Sequence, residues 1–239
     1  MLQSQSFNLN AIGFVESPYK EKFAIPRQAN LVTAAKGKVL LVGEQNNEQL
    51  IRDIQQFSHL WLLFIFHGTQ AQGWKPLVRP PRLGGNKKMG VLSTRSPFRP
   101  NPVGMSAVKL DKVSTNKQQT ILHISGLDLL DGTPILDIKP YIPYSDAIND
   151  ADQGFARQPV SELPVSFSVQ AKKNLLTYQH QYPELATFIE QVLAQDPRPA
   201  YKARQFDDDI YGMRLYNLNI KWQVINPLAV LVLSIKCLN

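Results

Sequence analysis

Several features that define large protein classes are missing from this sequence. The 239 residues include a single cysteine, Cys237, so an intramolecular disulfide is excluded. No apolar run approaches the roughly 20 residues of a membrane-spanning helix, and the longest, Leu60–Phe66 and Leu228–Ile235, are typical of buried strands. The N-terminal MLQSQSFNLN has neither the basic region nor the apolar core of a secretory signal. We therefore expect a cytoplasmic protein with no membrane association.

The common cofactor and catalytic motifs are also missing. No G-x-G-x-x-G follows a predicted strand, and no Walker loop is present, so a Rossmann or P-loop nucleotide site has no support. G-x-S-x-G is absent, and the four histidines are scattered. Cysteine and histidine do not cluster with zinc-ligand spacing, and we expect no metal. His59 and His67 bracket one predicted strand and would lie roughly 26 Å apart, too far to share an ion.

Negative charge is absent from a long internal window. Between Ile54 and Leu110 there is no Asp or Glu, although the chain as a whole has a net charge of only +7. The window contains these basic residues: Lys75, Arg79, Arg82, Lys87, Lys88, Arg95, Arg99 and Lys109. A segment of one sign inside a folded domain attracts polyanions, which favours a nucleic-acid partner. The alternative is a basic face that only keeps the protein soluble.

Short apolar segments at strand spacing dominate the first 145 residues. Predicted strands cover Phe7–Glu16, Lys38–Val42, Phe57–His67, Met89–Thr94, Met105–Val113, Thr120–Gly126 and Ile135–Lys139. Phe57–His67 is apolar on both faces and is predicted as the central buried strand. One short helix, Asn46–Gln56, is predicted among them. This order favours a mainly β protein whose residues 1–145 form a β-barrel over a βαβ sheet.

The remaining sequence predicts a smaller second domain. Residues 146–160 are polar, acidic and small, as in a linker, and residues 161–239 are expected to form an α+β domain. Its predicted elements are a strand at Val165–Val169, helices at Lys172–Tyr178 and Glu184–Ala194, and a hairpin of Tyr211–Val224 with Ala229–Ile235 that turns at Asn226-Pro227.

The stretch from Arg82 to Ser106, RLGGNKKMGVLSTRSPFRPNPVGMS, combines donors with rigidity. Pro97, Pro100 and Pro102 stiffen a loop that follows Arg95. A loop held in shape before its ligand arrives loses less entropy on binding. A solvated basic turn is the alternative, but so many donors and prolines together favour a binding site.

This same stretch resembles the signature of the TrmO-type tRNA methyltransferases, a TsaA-like family. The resemblance extends from SPYKEKFAIPRQ at 17–28 to LLDGTPILDIKPY at 129–141, and it resumes in AQDPRPAY at 194–201. It implies methyl transfer from S-adenosylmethionine to N6 of threonylcarbamoyladenosine next to the tRNA anticodon, and a homodimer with the cofactor near its interface. Without the resemblance, a non-catalytic RNA-binding β-barrel fits the residues equally well.

Matching to the family assigns residues to the S-adenosylmethionine site. They are Pro26, Arg27, Gln28, Phe66, His67, Arg95, Met105, Leu127 and Asp128. Arg95 could bind the carboxylate of the cofactor bidentately, and Asp128 could accept from its amino group or its ribose hydroxyls. His67 is the candidate general base, because an unperturbed imidazole titrates near neutral pH. Asp131 is the alternative base, although an Asp-Gly turn explains it without chemistry.

Basic and aromatic residues outside this set are candidates for contacts with RNA. They are Arg82, Lys87, Lys88, Arg99, Arg198, Tyr201 and Lys202. Two prolines flank Arg198, and the family resemblance there predicts a stiff arm that reaches the tRNA. The alternative is a helix terminator with solvated charges. Trp74 could stack on a base or cap the core. We also expect that deletion of residues 160–239 abolishes methyl transfer, while the remaining dimeric barrel still binds S-adenosylmethionine.

Overall fold

The computed structural model describes residues 5–115, 118–157, 162–199, 201–202, 205–225 and 228–238. The strands in these ranges are β1 (Gly13–Glu16), β2 (Lys36–Leu41), β3 (His59–Ile65), β4 (Leu77–Val78), β5 (Met89–Gly90), β6 (Val103–Thr115), β7 (Thr120–Ser125), β8 (Pro134–Pro140), β9 (Val165–Phe167), β10 (Ile210–Leu215), β11 (Leu218–Ile225) and β12 (Ala229–Cys237). The α-helices are α1 (Pro143–Asp146), α2 (Val169–Tyr178) and α3 (Leu185–Ala194).

Six strands close into a barrel in the order β1-β2-β7-β6-β3-β8. Each neighbouring pair is antiparallel, and the first strand closes the ring by pairing with both β2 and β8. β3 lies between β6 and β8 and supplies the longest run of apolar side chains. The predicted mainly β fold with an N-terminal barrel and a smaller α+β part is confirmed.

β3 differs from the strand that its sequence predicts. Leu60, Leu62 and Phe64 are buried, whereas the alternating residues between them are only partly covered. The expectation of burial on both faces is wrong, because an antiparallel barrel strand turns one face inward and the other toward solvent. Trp61 on the outer face is partly covered because its indole N–H donates to Asp146 at 2.9 Å.

Two other predicted elements are replaced by 3₁₀ turns. The predicted helix Asn46–Gln56 is broken into short turns, since Asp53 has a φ of 65° and interrupts any helical run. Of the predicted strand Met89–Thr94, only Met89–Gly90 forms a strand, which pairs with Leu77–Val78. Residues Val91–Ser93 form a 3₁₀ turn. The long loop between β3 and β6 is therefore locally folded.

The C-terminal part is a four-stranded sheet with two helices. Its strand order is β10-β11-β12-β9, and β9 runs parallel to β12. Ser168 caps α2 by accepting from the backbone N–H of Ala171 at 3.0 Å. The predicted single strand Tyr211–Val224 is itself a hairpin, which reverses where Tyr216 adopts a φ of 53°. The predicted turn at Asn226-Pro227 lies outside the described residues.

One continuous hydrophobic core joins the barrel and the C-terminal sheet. Tyr19, on the chain that leaves β1, is fully buried and meets Phe188 of α3 edge-to-face at 5.6 Å. The division into residues 1–145, 146–160 and 161–239 stays a prediction. None of the helices in the described ranges is long and apolar enough to cross a membrane. Those ranges also contain no group of three or more His, Cys, Asp or Glu side chains that could hold a metal.

Candidate cofactor and active site

A cavity of about 500 Å³ opens at one mouth of the barrel. Its walls come from the chain after β1, the C-terminal end of β3, the loop before β6 and the turn before β8. The residues that line it include Lys22, Ile25, Pro26, Arg27, Gln28, Phe64, Phe66, His67, Thr94, Arg95, Met105, Ser106, Asp128 and Leu129. Apolar, cationic and anionic side chains thus face one space.

The floor of the cavity depends on Gly104. A Cβ atom at this position would lie 2.3 Å from the ring of Phe64 on the paired strand. Any larger residue would collide with this ring, which also meets Phe66 edge-to-face with ring centroids 5.1 Å apart. The glycine of the NPVGMS sequence therefore shapes the apolar floor beneath the charged rim.

Arg95 and Arg99 lie on the same loop, but Arg95 faces the cavity rim whereas Arg99 bonds to the loop itself. The Arg95 guanidinium donates to the side-chain oxygen of Gln28 and lies at the cavity rim. Arg99 turns back on its own loop and donates to the carbonyls of Thr94 at 2.7 Å and Val91 at 3.4 Å. Arg99 thereby fixes the loop that presents Arg95. Because the Arg99 guanidinium bonds to its own loop, the structure does not support its predicted contact with RNA.

Asp128 is the carboxylate of the cavity. Its Oδ1 accepts from the hydroxyl of Ser106 at 2.6 Å. Burial raises the pKa of Asp128, while the Ser106 hydrogen bond and the charge of Arg95 oppose that shift. A carboxylate that is largely desolvated yet only partly satisfied can accept hydrogen bonds from a bound cation or hydroxyl group.

The predicted cofactor residues come together with one exception. Pro26, Arg27, Gln28, Phe66, His67, Arg95, Met105 and Asp128 all line the cavity. Leu127 is fully buried instead, and its side chain packs against Gly37 of β2. The core position of this side chain gives no support to a cofactor contact through it, although Leu127 directly precedes Asp128, which lines the cavity.

Asp131, the alternative base, lies outside the cavity lining. Its carboxylate pairs with Lys20 at 2.6 Å and accepts from the backbone N–H of Ser17 at 2.8 Å. These contacts tie the Asp-Gly turn to the chain after β1. The structure therefore gives Asp131 a structural position, and His67 is the predicted base that faces the cavity.

Arg198 does not extend toward solvent. Its side chain has 0% exposure, and it donates to Asp196 at 2.7 and 2.8 Å and to Asp207 at 3.2 Å. The predicted presentation of Arg198 on an arm is wrong, because an ion-pair cluster draws it inward. Lys202 pairs with Asp209, whereas Tyr201 remains 72% exposed.

The other RNA candidates lie on the basic loop. Lys87 and Lys88 are exposed, in keeping with their predicted role. Arg82 donates to the carbonyl of Ala156 at 3.0 Å and so connects the loop to the predicted linker. Trp74 is 57% exposed, which removes the core-cap alternative for it.

Lys22 and Ser106 are among the cavity residues that sequence reasoning missed. The Lys22 ammonium donates to the carbonyl of Gly68 and joins the first wall to the second. Ser106 orients Asp128. Ser106 ends the recognised NPVGMS stretch, so strand alternation from Gly104 could have placed it on the inner face. The sequence near Lys22 contains no comparable signal.

The barrel is closed, its mouth holds a cavity with charges of both signs, and a basic loop lies beside the cavity. These features are typical of a β-barrel protein with one site for a small charged ligand and a neighbouring surface for a polyanion. Comparison with family models identifies which family of such proteins this is. The tRNA-methyltransferase O N-terminal domain matches residues 14–147, and the TrmO C-terminal domain matches residues 160–237. The chain belongs to the TrmO family, as the sequence predicted.

Relatives and solved structures agree with this assignment. The chain is 50% identical to the tRNA (adenine(37)-N6)-methyltransferase of Escherichia coli (strain K12), over 92% of this chain and 94% of that one. It is 42% identical to a putative S-adenosylmethionine-dependent methyltransferase RcsF of Pseudomonas aeruginosa, over 95% and 97% of the two chains. A crystal structure of TrmO from P. aeruginosa superposes with a TM-score of 0.83 at 36% identity, covering 99% and 100% of the chains.

Proposed function

We propose that this protein is an S-adenosylmethionine-dependent tRNA methyltransferase acting on N6 of threonylcarbamoyladenosine next to the anticodon. The observation that carries the proposal is the barrel-mouth cavity, where eight predicted cofactor residues meet, in a chain of the TrmO family. The related enzymes are named as tRNA (adenine(37)-N6)-methyltransferases and as S-adenosylmethionine-dependent methyltransferases.

The residues of the cavity fit this cofactor chemically. Arg95 offers a planar guanidinium to a carboxylate, and Asp128 offers a carboxylate to an ammonium or to ribose hydroxyls. Phe66 and Met105 supply apolar surface for a purine. When bound, S-adenosylmethionine supplies an electrophilic methyl group.

The chain itself contributes position, water exclusion and a proton acceptor. N6 of the substrate is flanked by the purine and a ureido carbonyl, which delocalise its lone pair. Loss of the N6 proton during attack would therefore assist transfer, and the His67 imidazole is the acceptor we assign, directly or through one water. Holding the reacting atoms in line accounts for most of the rate enhancement, as in other two-substrate transfers.

The basic loop supports binding of tRNA beside the cavity. Lys87 and Lys88 are exposed on the loop that Arg82 anchors, and Trp74 projects from the same loop. Cations contact phosphates without regard to sequence, and an exposed indole can stack on an unpaired base. The loop leads through Arg95 directly to the cofactor cavity.

We also infer a cytoplasmic homodimer with the cofactor near its interface. Met105 supports this, since it lines the cavity and yet is 56% exposed. An exposed apolar side chain at the edge of a site is a favourable place for a second copy to cover.

Methyl transfer can be tested with labelled S-adenosylmethionine and one tRNA prepared with and without threonylcarbamoyladenosine. We expect label only in the modified tRNA, and nucleoside mass spectrometry should locate it at N6. Titration calorimetry with S-adenosylmethionine distinguishes the methyltransferase from the alternative, a non-catalytic RNA-binding barrel, because only the methyltransferase should bind this cofactor. A protein that binds tRNA but neither binds S-adenosylmethionine nor transfers methyl would overturn the proposal in favour of that alternative.

A further inference from the structure

Pro26–Gln28 form one wall of the cavity and belong to a segment that both the barrel and the C-terminal part contact. This segment, residues 17–35, runs from β1 to β2 and contains no α-helix or barrel strand of its own. The N-terminal part holds it through three backbone hydrogen bonds, from Asp131 to Tyr19 at 3.0 Å, from Asn30 to Gly126 at 2.8 Å and from Gly126 to Ala35 at 2.9 Å. The side-chain amide of Asn30 also donates to the carbonyl of Ala107 at 3.0 Å. The C-terminal part holds it on both sides of Pro26–Gln28.

Before Pro26, the C-terminal sheet contacts the segment directly. The backbone N–H of Tyr216 donates to the carbonyl of Pro18 at 2.8 Å. That of Arg214 donates to the Glu21 carboxylate at 2.9 Å. Phe23 stacks on Trp222 with ring centroids 6.4 Å apart. These contacts fix the start of the cavity wall to strands β10 and β11.

On the other side of Gln28, two glutamines of the C-terminal part bond to the segment. Gln191 lies on α3, and Gln195 directly follows that helix. Gln191 accepts from the backbone N–H of Ala34 at 2.9 Å and donates to the Thr33 hydroxyl at 3.0 Å. Gln195 donates to the carbonyl of Leu31 at 3.1 Å. Both amides therefore bind the chain that returns from the cofactor wall to β2.

A second, smaller cavity shows how closely α3 approaches that wall. It measures about 200 Å³, and Gln195, Val192 and Pro197 line it opposite Pro26 and Arg27. Pro26 and Arg27 also line the first cavity, so one layer of chain separates the two spaces. Asp196 lies near enough to oppose the lowering of the Arg27 pKa that burial causes.

From these contacts we infer that α3 is a positioning element of the cofactor site, and that Gln191 and Gln195 set the affinity for S-adenosylmethionine by fixing Pro26–Gln28. The inference rests on the proposed function and assigns the C-terminal part a role besides tRNA recognition. It also runs against the expectation that the barrel left after deletion of residues 160–239 still binds the cofactor. A wall ordered before binding loses less entropy when the ligand arrives, so loosening it should weaken binding without touching the ligand.

The test uses the full-length variants Gln191→Met and Gln195→Met, which keep side-chain volume and remove the amide. We expect each to weaken S-adenosylmethionine binding about three- to tenfold, the range for removing one or two hydrogen bonds. The KM for S-adenosylmethionine should rise by the same factor. The KM for tRNA and kcat at saturation should stay unchanged, a split that general loss of structure would not produce.

Thr187→Met is the matched control, because Thr187 lies on the exposed face of the same helix. Gln195→Met is the variant less prone to misfold, since its side chain makes one hydrogen bond to the segment, to the carbonyl of the exposed Leu31. Its other hydrogen bond, to the carbonyl of Gln191 at 3.4 Å, stays within the C-terminal part. Unchanged S-adenosylmethionine affinity in folded Gln195→Met and Gln191→Met, or an equal loss in Thr187→Met, would refute the inference. A rise confined to the KM for tRNA would also refute it and assign α3 to substrate binding. Failure of the wild type to bind S-adenosylmethionine would instead refute the proposed function.

Discussion

The side-chain oxygen of Gln28 accepts a hydrogen bond from the guanidinium of Arg95, although 67 positions separate the two residues in the chain. Gln28 belongs to the wall that α3 supports, and Arg95 to the proline-stiffened loop before β6. Their contact closes the rim of the cofactor cavity between two separately anchored segments. The orientation of the guanidinium fork is therefore set before any ligand binds.

Replacement of Arg95 by alanine should weaken S-adenosylmethionine binding by about 1.5–3 kcal/mol, the usual cost of losing a charge-assisted hydrogen-bonded pair. Arg95→Lys should recover only part of this loss, because an ammonium group cannot form the planar fork. Titration calorimetry measures both. Arg79→Ala, an exposed position on the same basic loop, is the control and should leave the affinity unchanged. Wild-type affinity in a folded Arg95→Ala variant would remove Arg95 from the site.

Asp128→Asn should reduce cofactor binding and at the same time make the protein more stable at neutral pH. Burial raises the pKa of Asp128, so the folded state favours the protonated form. Its contribution to stability is therefore most favourable below the unfolded-state pKa and is lost as pH rises through the folded-state pKa. Asparagine removes this buried charge while keeping an acceptor for Ser106.

Thermal unfolding and S-adenosylmethionine affinity, each measured between pH 4 and pH 8, check this prediction. The wild-type affinity should fall as pH decreases toward the raised pKa, and the variant should lose that dependence. Asp152→Asn, an exposed position in the predicted linker, should leave the affinity profile unchanged. A variant that keeps the acid-side loss of affinity would show that another group controls it.

Matching short stretches of sequence to the family assigned Arg95 and Met105 to one site, and both side chains line the same cavity. Leu127 was predicted at the cofactor site together with Asp128, but its side chain packs into the core, because adjacent residues of the irregular segment between β7 and β8 point into different surroundings.

Contacts between distant segments could not be predicted in this way. Gln191 lies 157 positions from its partner Ala34, and a glutamine on a helix surface carries no signal of what it meets. Arg198 resembled a solvated cation, since nothing in the sequence shows that Asp196 and Asp207 converge on it. The partners of Gln191 and Arg198 come together only in the folded chain, so the residues on either side of each in the sequence do not reveal them.

The double variant Lys87→Ala/Lys88→Ala should weaken tRNA binding and leave S-adenosylmethionine affinity intact. Removing one lysine–phosphate interaction should reduce the slope of log affinity against log salt by about 0.7–0.9. Binding measured at several salt concentrations gives that slope. Lys172→Ala/Lys173→Ala removes the same charge from an exposed pair on α2 and is the matched control. Identical slopes in the wild type and the first variant would mean that these lysines are only a solvated face.

Arg198→Met should destabilise the protein by about 3 kcal/mol or more, because it leaves the carboxylates of Asp196 and Asp207 without their buried cation. The side chain of Arg198 has 0% exposure, and those of its partners have 12% and 21%. Arg157→Met is the control, since Arg157 pairs with Asp152 while both side chains are 73% exposed, and solvent screening should leave the stability nearly unchanged. Urea unfolding compares the two variants. Equal stabilities, together with a tRNA affinity that falls only in Arg198→Met, would contradict the buried-cluster account and return Arg198 to the RNA interface.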